Sequence, residues 1–343
     1  MCTKKYNWVK RVCVIDSSYS LLIYLLISTI DEIDKTFFVW GNGIPQYIRD
    51  TYHHKSKYII NNNPNDKKWY PMSKKYFLWQ MYFYYIGSYI EFPFLKCKGI
   101  SYWGHDHLFY SPFFFHANQY NAIEDGMYNY TPEPERTNYS FIRKLFFGGP
   151  LIIRRKYRFQ QETCAWEYLT GIDPNCPAVN SPKAKVKSLD RMWNEQSIEK
   201  RMYICNYFGL TEKEISEFKK YDSILLTQPF SEDGDLTEEE KIEMYRKQMT
   251  KEGIEKIIIK PHPREITDYS LYFPNNCIFK KKVPIELLNL VGVKFSKVYT
   301  VNSTAAFNLS DSAIIWGSEI NEKLLDKYPL FTSKLLKEKN VFL

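Results

Sequence analysis

The chain has 343 residues, which is enough for two domains of ordinary size. Its content of 44% hydrophobic and 17% aromatic residues excludes a disordered protein, which lacks the apolar material to form a core. The formal net charge of +8 fits an anionic partner, but it does not choose between nucleic acid, an anionic membrane surface and a phosphorylated substrate.

The first part of the chain alternates short apolar runs with helical segments. Residues 11–15 form a β-type run, and Asp16 and the two serines after it offer N-cap chemistry before a helical run at 21–30. A second strand is predicted at 37–40, so the order strand, helix, strand indicates a parallel βαβ unit. Further along, the pattern predicts a loop at 58–68, a helix at 75–89 and strands at 97–103 and 119–123.

The second part of the chain repeats this alternation after a less regular region. Residues 131–219 contain Pro- and Asn-rich loops and a charged helical stretch at 188–203. Strands are then predicted at 223–227, 254–260, 297–301 and 313–316, and helices at 238–249, 284–291 and from 305. We therefore predict an α/β protein with two Rossmann-like domains, at 1–219 (with an irregular insertion at about 131–219) and 220–343.

The sequence offers little support for a membrane span or for structural disulfides. The apolar stretch 12–30 is interrupted by Asp16 and three serines, and what remains is too short to cross a bilayer. The seven cysteines contain no CxxC pair, so neither a disulfide framework nor a zinc site is indicated. We expect a protein of the reducing cytoplasm, at most attached peripherally to the inner face of the plasma membrane.

Four polar segments follow predicted strands, which is where parallel α/β sheets place their ligand sites. Each segment alone has an ordinary structural explanation, since a carboxylate pair before glycine suits a turn and Ser-Thr before Ala-Ala suits a helix N-cap. The segments are Ile-Glu-Asp-Gly at 123–126, Leu-Thr-Gln-Pro-Phe-Ser-Glu-Asp-Gly at 226–234, Lys-Pro-His-Pro-Arg at 260–264 and Val-Asn-Ser-Thr-Ala-Ala at 301–306.

Taken in this order, the segments resemble those of bacterial sialyltransferases, in particular the lipooligosaccharide and capsule enzymes of glycosyltransferase family 52. The resemblance implies the GT-B fold, with two Rossmann-like domains facing a central cleft, an N-terminal acceptor-side domain and a C-terminal CMP-sugar-binding domain. It also implies an inverting, metal-independent transfer of sialic acid, or a related acidic sugar, from a CMP donor to a galactose-type hydroxyl of a bacterial surface glycan. The matching positions are Glu124, Asp125 and Gly126, the loop 228–233, His262 and Pro263, and Ser303 and Thr304.

The chemistry of sugar transfer gives the second-domain segments a role in donor binding. The departing phosphate gains charge, and His262, Ser303 and Thr304 can stabilise that charge by hydrogen bonds. Lys260 or Arg264 would add positive charge. These groups make a divalent metal unnecessary, and we expect no cofactor besides the donor substrate CMP-sialic acid.

The acceptor hydroxyl must lose its proton, which a positioned carboxylate can accept. By resemblance we rank Asp233 first as this base, followed by Glu124 and Asp125, and the carboxylates that are not the base would hold loops by hydrogen bonds. Glu286 lies early in a predicted helix, where similar enzymes hold the cytidine, although the helix dipole alone also favours a glutamate there. The predicted donor-binding residues are therefore Lys260, His262, Pro263, Glu286, Ser303 and Thr304.

Two further features leave alternatives open. Residues 141–158 mix basic and aromatic side chains, which suits either an anionic membrane surface near a lipid-linked acceptor or a solvated basic face over buried aromatics. His105 and His107 share one face of a predicted strand, where they would line the acceptor cleft or simply form surface; without an evident third ligand, a metal site is the weaker interpretation.

Two other functions compete with CMP-sugar transfer. The same fold could use a different nucleotide-sugar donor, because His-Pro and Ser-Thr segments recognise phosphate more than they recognise the sugar. A basic nucleic-acid-binding protein is the alternative from another class, but no RRM, KH or OB signature supports it, so we expect no nucleic-acid partner. The expected partners are a CMP-sugar and an oligosaccharide or lipid-linked glycan acceptor, with homo-oligomerisation left open.

Overall fold

The computed structural model describes residues 6–59, 90–106, 108, 111–115, 118–126, 129–130, 164–262, 264–303, 306, 309, 313–329 and 332–334. The chain divides into two compact units, Met1–Tyr207 and Phe208–Leu343. The predicted helix at 75–89, the basic segment 141–158, and Pro263, Thr304 and His107 lie outside the described residues.

The first unit is built on a seven-stranded sheet in which every described strand pair is parallel. The strands are β1 (Arg11–Ser17), β2 (Thr36–Gly43), β3 (Ser56–Tyr58), β4 (Ser101–Gly104), β5 (Tyr120–Ile123), β6 (Cys164–Leu169) and β7 (Ala184–Val186). Their order across the sheet is β3-β2-β1-β4-β5-β6-β7, so the direction of winding reverses between β1 and β4. Ligand sites of open parallel sheets lie beyond the carboxyl ends of the strands at such a reversal.

The helices of the first unit connect these strands. They are α1 (Ser18–Ile27), α2 (Ile30–Asp34), α3 (Gln46–Thr51), α4 (Ser111–Phe115), α5 (Leu189–Asn194) and α6 (Ile198–Tyr207), with short 3₁₀ turns at His53–Lys55 and Pro93–Lys96. Helix α1 begins directly at the end of β1 because the Ser17 hydroxyl accepts the Ser20 N–H at 3.2 Å and so caps it. Seven consecutive residues of α1, from position 20 to 26, are buried.

A glycine at the end of β4 lets this strand approach β1 closely. Gly104 has a φ of 109°, which side chains of L-residues rarely adopt. A Cβ at this position would also lie 2.0 Å from the carbonyl oxygen of Val14. The next residue, His105, donates its backbone N–H to that same oxygen at 2.8 Å. Gly104 therefore allows β4 to place His105 beside β1, where the direction of winding reverses.

The second unit contains a five-stranded parallel sheet. Its strands are β8 (Ser223–Leu226), β9 (Ile258–Lys260), β10 (Cys277–Ile278), β11 (Lys297–Thr300) and β12 (Ala313–Ile315). They are ordered β10-β9-β8-β11-β12, so the winding reverses between β8 and β11. The helices are α7 (Glu212–Phe218), α8 (Glu238–Lys251), α9 (Tyr269–Tyr272), α10 (Ile285–Leu290) and α11 (Glu322–Lys327), with a 3₁₀ turn at Ser318–Ile320.

The α/β class and the parallel sheets predicted from the sequence are confirmed, but several boundaries differ. The strand predicted at 97–103 begins only at Ser101, after a 3₁₀ turn, and the strand predicted at 254–260 begins only at Ile258. The helix predicted at 188–203 is two helices, because the Ser197 hydroxyl accepts the Lys200 N–H at 3.2 Å and caps a new helix there. Strands β6 and β7 lie within the region that the sequence pattern left irregular.

The division of the chain falls earlier than the predicted boundary at 219/220, since the second unit begins at Phe208. Helix α7 packs within the second unit: the Lys281 ammonium donates to Glu214 at 2.7 Å. The rings of Phe218 and Phe279 also lie 4.6 Å apart. These contacts join side chains that are far apart in sequence. The sequence pattern of α7 alone therefore did not indicate that this helix belongs to the second unit.

The cysteines differ in one respect from what their spacing indicates. Cys97 is disulfide-bonded, whereas the spacing of the cysteines indicated no disulfide. The described cysteines at positions 13, 164, 176, 205 and 277 are free thiols. Among the described residues, no helix is long and apolar enough to cross a membrane.

Candidate functional site

In the first unit, polar side chains gather at the carboxyl ends of the three central strands. Ser17 ends β1, His105 follows β4, and Glu124 and Asp125 follow β5. These strands are neighbours in the sheet, and β1 and β4 flank the winding reversal. The fold thus brings together the predicted carboxylate pair and two side chains to which the sequence assigned no catalytic role.

Glu124 is fully buried and surrounded by hydrogen-bond donors. Its Oε1 accepts from the Tyr19 hydroxyl at 2.6 Å and from the Thr170 hydroxyl at 2.7 Å, and its Oε2 accepts from the Tyr130 hydroxyl at 2.6 Å and from the Thr170 N–H. Burial raises the pKa of Glu124, and these hydrogen bonds oppose that rise. The carboxylate therefore ties β5, β6 and the start of α1 together.

Asp125 is placed differently, because part of its side chain is open to solvent. The side chain is 23% exposed. Its Oδ1 accepts from the Ser17 hydroxyl at 2.9 Å and lies 3.7 Å from the His105 Nε2. The carboxylate is thus anchored at the end of the sheet while part of the side chain is exposed. Of the two adjacent carboxylates, this is the one that can meet a substrate.

His105 is fully buried, and both of its ring nitrogens are engaged. Its Nδ1 accepts the Asp16 N–H at 3.3 Å. Its Nε2 lies 2.8 Å from the Ser20 hydroxyl, whose own proton is donated to the Glu124 carbonyl oxygen at 2.6 Å. The ring is therefore neutral with its proton on Nε2, and it supports the loop that carries Asp125. Neither nitrogen is left to bind a metal, and no group of three metal-ligating side chains occurs in the described part of the chain.

In the second unit, the His-Pro segment directly follows β9 and fixes the tautomer of His262. The Nδ1 of His262 accepts the Arg264 N–H at 3.2 Å, so the proton of the neutral ring lies on Nε2. Burial is the larger cause and the positive charge of Arg264 the next, and together they lower the pKa of His262 to about 4. At neutral pH this side chain is an uncharged hydrogen-bond donor.

Asp233, ranked first as the base, is held by an arginine of that same segment. Both Arg264 guanidinium ends contact its carboxylate, with the Nη2 to Oδ2 distance at 3.0 Å. Two parallel hydrogen bonds of this kind are among the strong charge-assisted pairs. The pair of Asp233 and Arg264 therefore joins the loop after β8 to the His262 loop, and it places the predicted base in an ion pair.

The remaining predicted donor-binding residues are distributed around the same sheet. Lys260 is buried, with its ammonium 3.3 Å from the Lys281 carbonyl oxygen and 4.6 Å from the centre of the Phe279 ring. Burial lowers the pKa of Lys260 to about 8, against the opposing charge of Glu286 at the first turn of α10. Ser303 lies just beyond β11, where its N–H donates to the Thr300 hydroxyl at 3.1 Å.

Sequence reasoning missed the residues that support these loops. Lys241 and Glu265 are fully buried as side chains and lie 3.3 Å apart. A signal for Lys241 was present, since it shares the helical face of α8 with the buried residues 242, 245, 248 and 249. A lysine on an apolar face calls for a buried partner. Glu265, directly after the His-Pro segment, carried no such signal.

Comparisons with known proteins agree with this architecture. The model of glycosyltransferase family 52 matches residues 47–324. An uncharacterized protein of Haemophilus influenzae is 30% identical over 331 residues, which are 93% of this chain and 98% of that protein.

Two solved structures share the fold at low sequence identity. A sialyltransferase from Photobacterium damselae, over its residues 113–497 that correspond to the GT-B domain, has a TM-score of 0.54 and 12% identity and covers 93% of this chain and 96% of that one. A 2,6-sialyltransferase of Photobacterium sp. JT-ISH-224, solved with CMP and lactose, has a TM-score of 0.56 and 11% identity and covers 96% of this chain and 75% of that one. The chain therefore has the GT-B fold.

Proposed function

Because the chain belongs to glycosyltransferase family 52, we propose that it is a sialyltransferase that uses a CMP-activated donor. It transfers sialic acid, or a related acidic sugar, to a galactose-type hydroxyl of a lipooligosaccharide or capsule glycan. The two Photobacterium sialyltransferases of the same fold support this choice of sugar, and the second of them was solved with CMP and lactose.

The observation that carries the proposal is the state of His262 at the end of β9. Its Nδ1 is occupied by the Arg264 N–H, and burial keeps the ring neutral, so Nε2–H is a donor held in place before any ligand arrives. A preorganised donor of this kind stabilises charge that develops on a leaving phosphate. In the proposed reaction, His262 donates to the phosphate of the departing CMP.

For the base we propose Asp125 rather than Asp233. The Asp125 side chain is 23% exposed and its Oδ1 accepts from the Ser17 hydroxyl, whereas the Asp233 side chain is 33% exposed and accepts from the Arg264 guanidinium at both oxygens. Asp125 also follows β5 at the carboxyl ends of the central strands, where parallel sheets place their ligand sites. Glu124 is surrounded by four donors and serves to hold the loop. A general base must come within hydrogen-bond reach of the proton that it takes up, and the partial exposure of Asp125 allows this.

The reaction is a single in-line displacement with inversion at the anomeric carbon. The acceptor oxygen forms a bond to this carbon while the bond from the carbon to the CMP phosphate oxygen breaks. The hydroxyl proton passes to Asp125, and the electron pair of the broken bond stays on the phosphate. Lys260, Pro263, Glu286, Ser303 and Thr304 complete the proposed donor site, with Glu286 assigned to the cytidine.

Charge stabilisation by these side chains does not require a divalent metal, so the proposal includes no metal and no cofactor besides the donor. The proposed place of action is the cytoplasmic side of the plasma membrane, where a lipid-linked acceptor would be present. Residues 141–158 are proposed for contact with anionic lipid headgroups.

A transfer assay tests the proposed function. The purified protein is incubated with CMP-sialic acid and lactose in the presence of EDTA, and the sialylated product is measured by mass spectrometry. We expect product with CMP-sialic acid and none when a UDP-hexose replaces it. Transfer from a UDP-sugar, but not from CMP-sialic acid, would instead favour the same fold acting on another nucleotide sugar.

A further inference from the structure

A lysine ammonium is buried between two glutamates in the second unit. The Nζ of Lys241 lies 2.7 Å from the Thr267 hydroxyl, 3.0 Å from Glu232 Oε2 and 3.3 Å from Glu265 Oε1. Each of its three protons therefore has an acceptor, and the lysine side chain is fully buried. The two glutamates belong to the loops that follow β8 and β9, so one cation joins both loops.

Glu265 holds the backbone of His262. Its Oε2 accepts the His262 N–H at 2.5 Å and the Thr227 hydroxyl, and its Oε1 accepts the Tyr269 hydroxyl at 2.5 Å besides facing Lys241. The His262 N–H and the Lys241 ammonium can only donate, and an ionised carboxylate accepts from all four neighbours at once. The pKa of Glu265 is raised by burial, and these hydrogen bonds oppose the rise.

Glu232 holds the other end of the same loop. Its Oε1 accepts the Ile266 N–H at 2.8 Å, and its Oε2 accepts from the Ser231 hydroxyl at 2.9 Å and from Lys241. Burial would raise the pKa of Glu232, but these hydrogen bonds prevail and lower it to about 2. The backbone N–H groups of His262 and Ile266 are thus each bound by a glutamate carboxylate, and both carboxylates accept from the Lys241 ammonium.

Such an arrangement is not explained by stability. A buried ion pair recovers little more than the cost of taking its charges out of water, and apolar residues of similar volume often serve folding as well. Two carboxylates and one ammonium also leave a net negative charge in the core of the unit. What the arrangement does supply is a fixed position for the backbone N–H at each end of one loop.

We propose that Lys241, Glu232 and Glu265 are positioning residues for the phosphate site, which they serve by holding the loop that presents His262. This inference rests on the proposed function only for the identity of the ligand. The positioning itself is a property of the protein without a ligand. Small displacements of a catalytic group by a distant residue can cost about 10²-fold in rate.

The variant Glu265→Gln tests the inference because it keeps the shape of the side chain. The NH₂ group of glutamine must face either the Lys241 ammonium and the Tyr269 hydroxyl or the His262 N–H and the Thr227 hydroxyl. Facing the ammonium is the more costly arrangement because it opposes a full positive charge, so we expect the His262 N–H to lose its acceptor. The protein contains six histidines, so labelling with ¹⁵N-histidine yields six backbone amide signals, which single His variants assign. We expect the His262 amide proton to be shifted downfield in the wild type and to lose that shift in Glu265→Gln.

The second measurement is CMP affinity by calorimetry, at a temperature where all variants are folded. We expect Glu265→Gln to bind CMP about tenfold more weakly than the wild type. The matched control is Tyr24→Phe, which removes a fully buried hydroxyl that is paired with the Thr36 hydroxyl at 2.6 Å in the first unit. This control should lose thermal stability without a change in the His262 amide or in CMP affinity.

An unchanged His262 amide in Glu265→Gln would overturn the inference, as would an equal loss of CMP affinity in Tyr24→Phe. If Glu265→Gln does not fold, Glu232→Gln replaces it, because that side chain is 13% exposed and holds the loop at Ile266. Weaker CMP binding by this variant supports the inference, and unaltered binding contradicts it. If the wild type itself does not bind CMP, the proposed function fails, while the His262 amide still tests the positioning.

Discussion

Replacing Asp125 by asparagine is expected to lower kcat for sugar transfer about 10²–10⁴-fold, the range for loss of a general base. Asparagine has nearly the same shape and can still accept the Ser17 hydroxyl that lies 2.9 Å from Asp125 Oδ1. It cannot take up the acceptor proton, so the chemical step should suffer while the loop stays in place. Steady-state kinetics with CMP-sialic acid and lactose measure the effect, and CMP binding should be unchanged.

Two further carboxylate variants serve as controls for this result. Asp233→Asn weakens the pair with Arg264, and it should reduce turnover less than Asp125→Asn does. In Glu124→Gln, four hydrogen-bond donors face a side chain with only one acceptor oxygen. We expect this variant to unfold at a lower temperature than the wild type. If Asp233→Asn abolishes turnover while Asp125→Asn is nearly as active as the wild type, the base is Asp233.

Replacing His262 by alanine is expected to lower turnover about 10²–10³-fold, as does removal of one preorganised donor to a developing anion. The reason is that Nε2–H is the free donor of a ring whose Nδ1 is already occupied by the Arg264 N–H. Both kcat and CMP affinity should fall, since the same donor serves the departing phosphate and the bound product.

A matched control for His262 is His54→Ala, which removes an exposed histidine of the first unit. Its kinetics should equal those of the wild type. His262→Gln retains an N–H donor on a flexible side chain and should recover part of the loss. Near-normal activity of His262→Ala would remove His262 from the proposed role.

The regular part of the fold was predictable because its signals are local. Buried parallel strands such as β1 and β8 are short apolar runs, and Ser17 caps the following helix within the same segment. Ligand sites could be sought where such runs end, because the carboxyl ends of parallel strands share one edge of the sheet. That rule placed Glu124, Asp125 and His262 correctly at strand ends.

Features that depend on tertiary contacts were not predictable in the same way. Strand β7 (Ala-Lys-Val) has no buried residue, and β6 carries an exposed Trp166 between buried positions that do not alternate regularly, so both resemble loops in sequence. The contact between Asp233 and Arg264 joins residues 31 positions apart in two different loops. No local sequence pattern indicates which carboxylate will form such an ion pair, so the sequence did not predict the contact between Asp233 and Arg264.

The role of His105 illustrates the same limit at a single residue. Its spacing from His107 predicted that both side chains lie on one face of a strand. The interpretations were a metal site, a place in the acceptor cleft or plain surface. The structure instead engages Nδ1 with the Asp16 N–H and Nε2 with the Ser20 hydroxyl. Both partners come from β1 and α1, which lie about 90 residues earlier in the chain, as the sequence separations of 89 and 85 show.

The most direct test of the central claim is a calorimetric titration of the wild-type protein with CMP, with UDP as the control ligand and EDTA present throughout. The proposed CMP-sugar transferase should bind CMP under these conditions and should show no binding of UDP. Binding of UDP without binding of CMP would contradict the claim and assign the donor site to another nucleotide sugar.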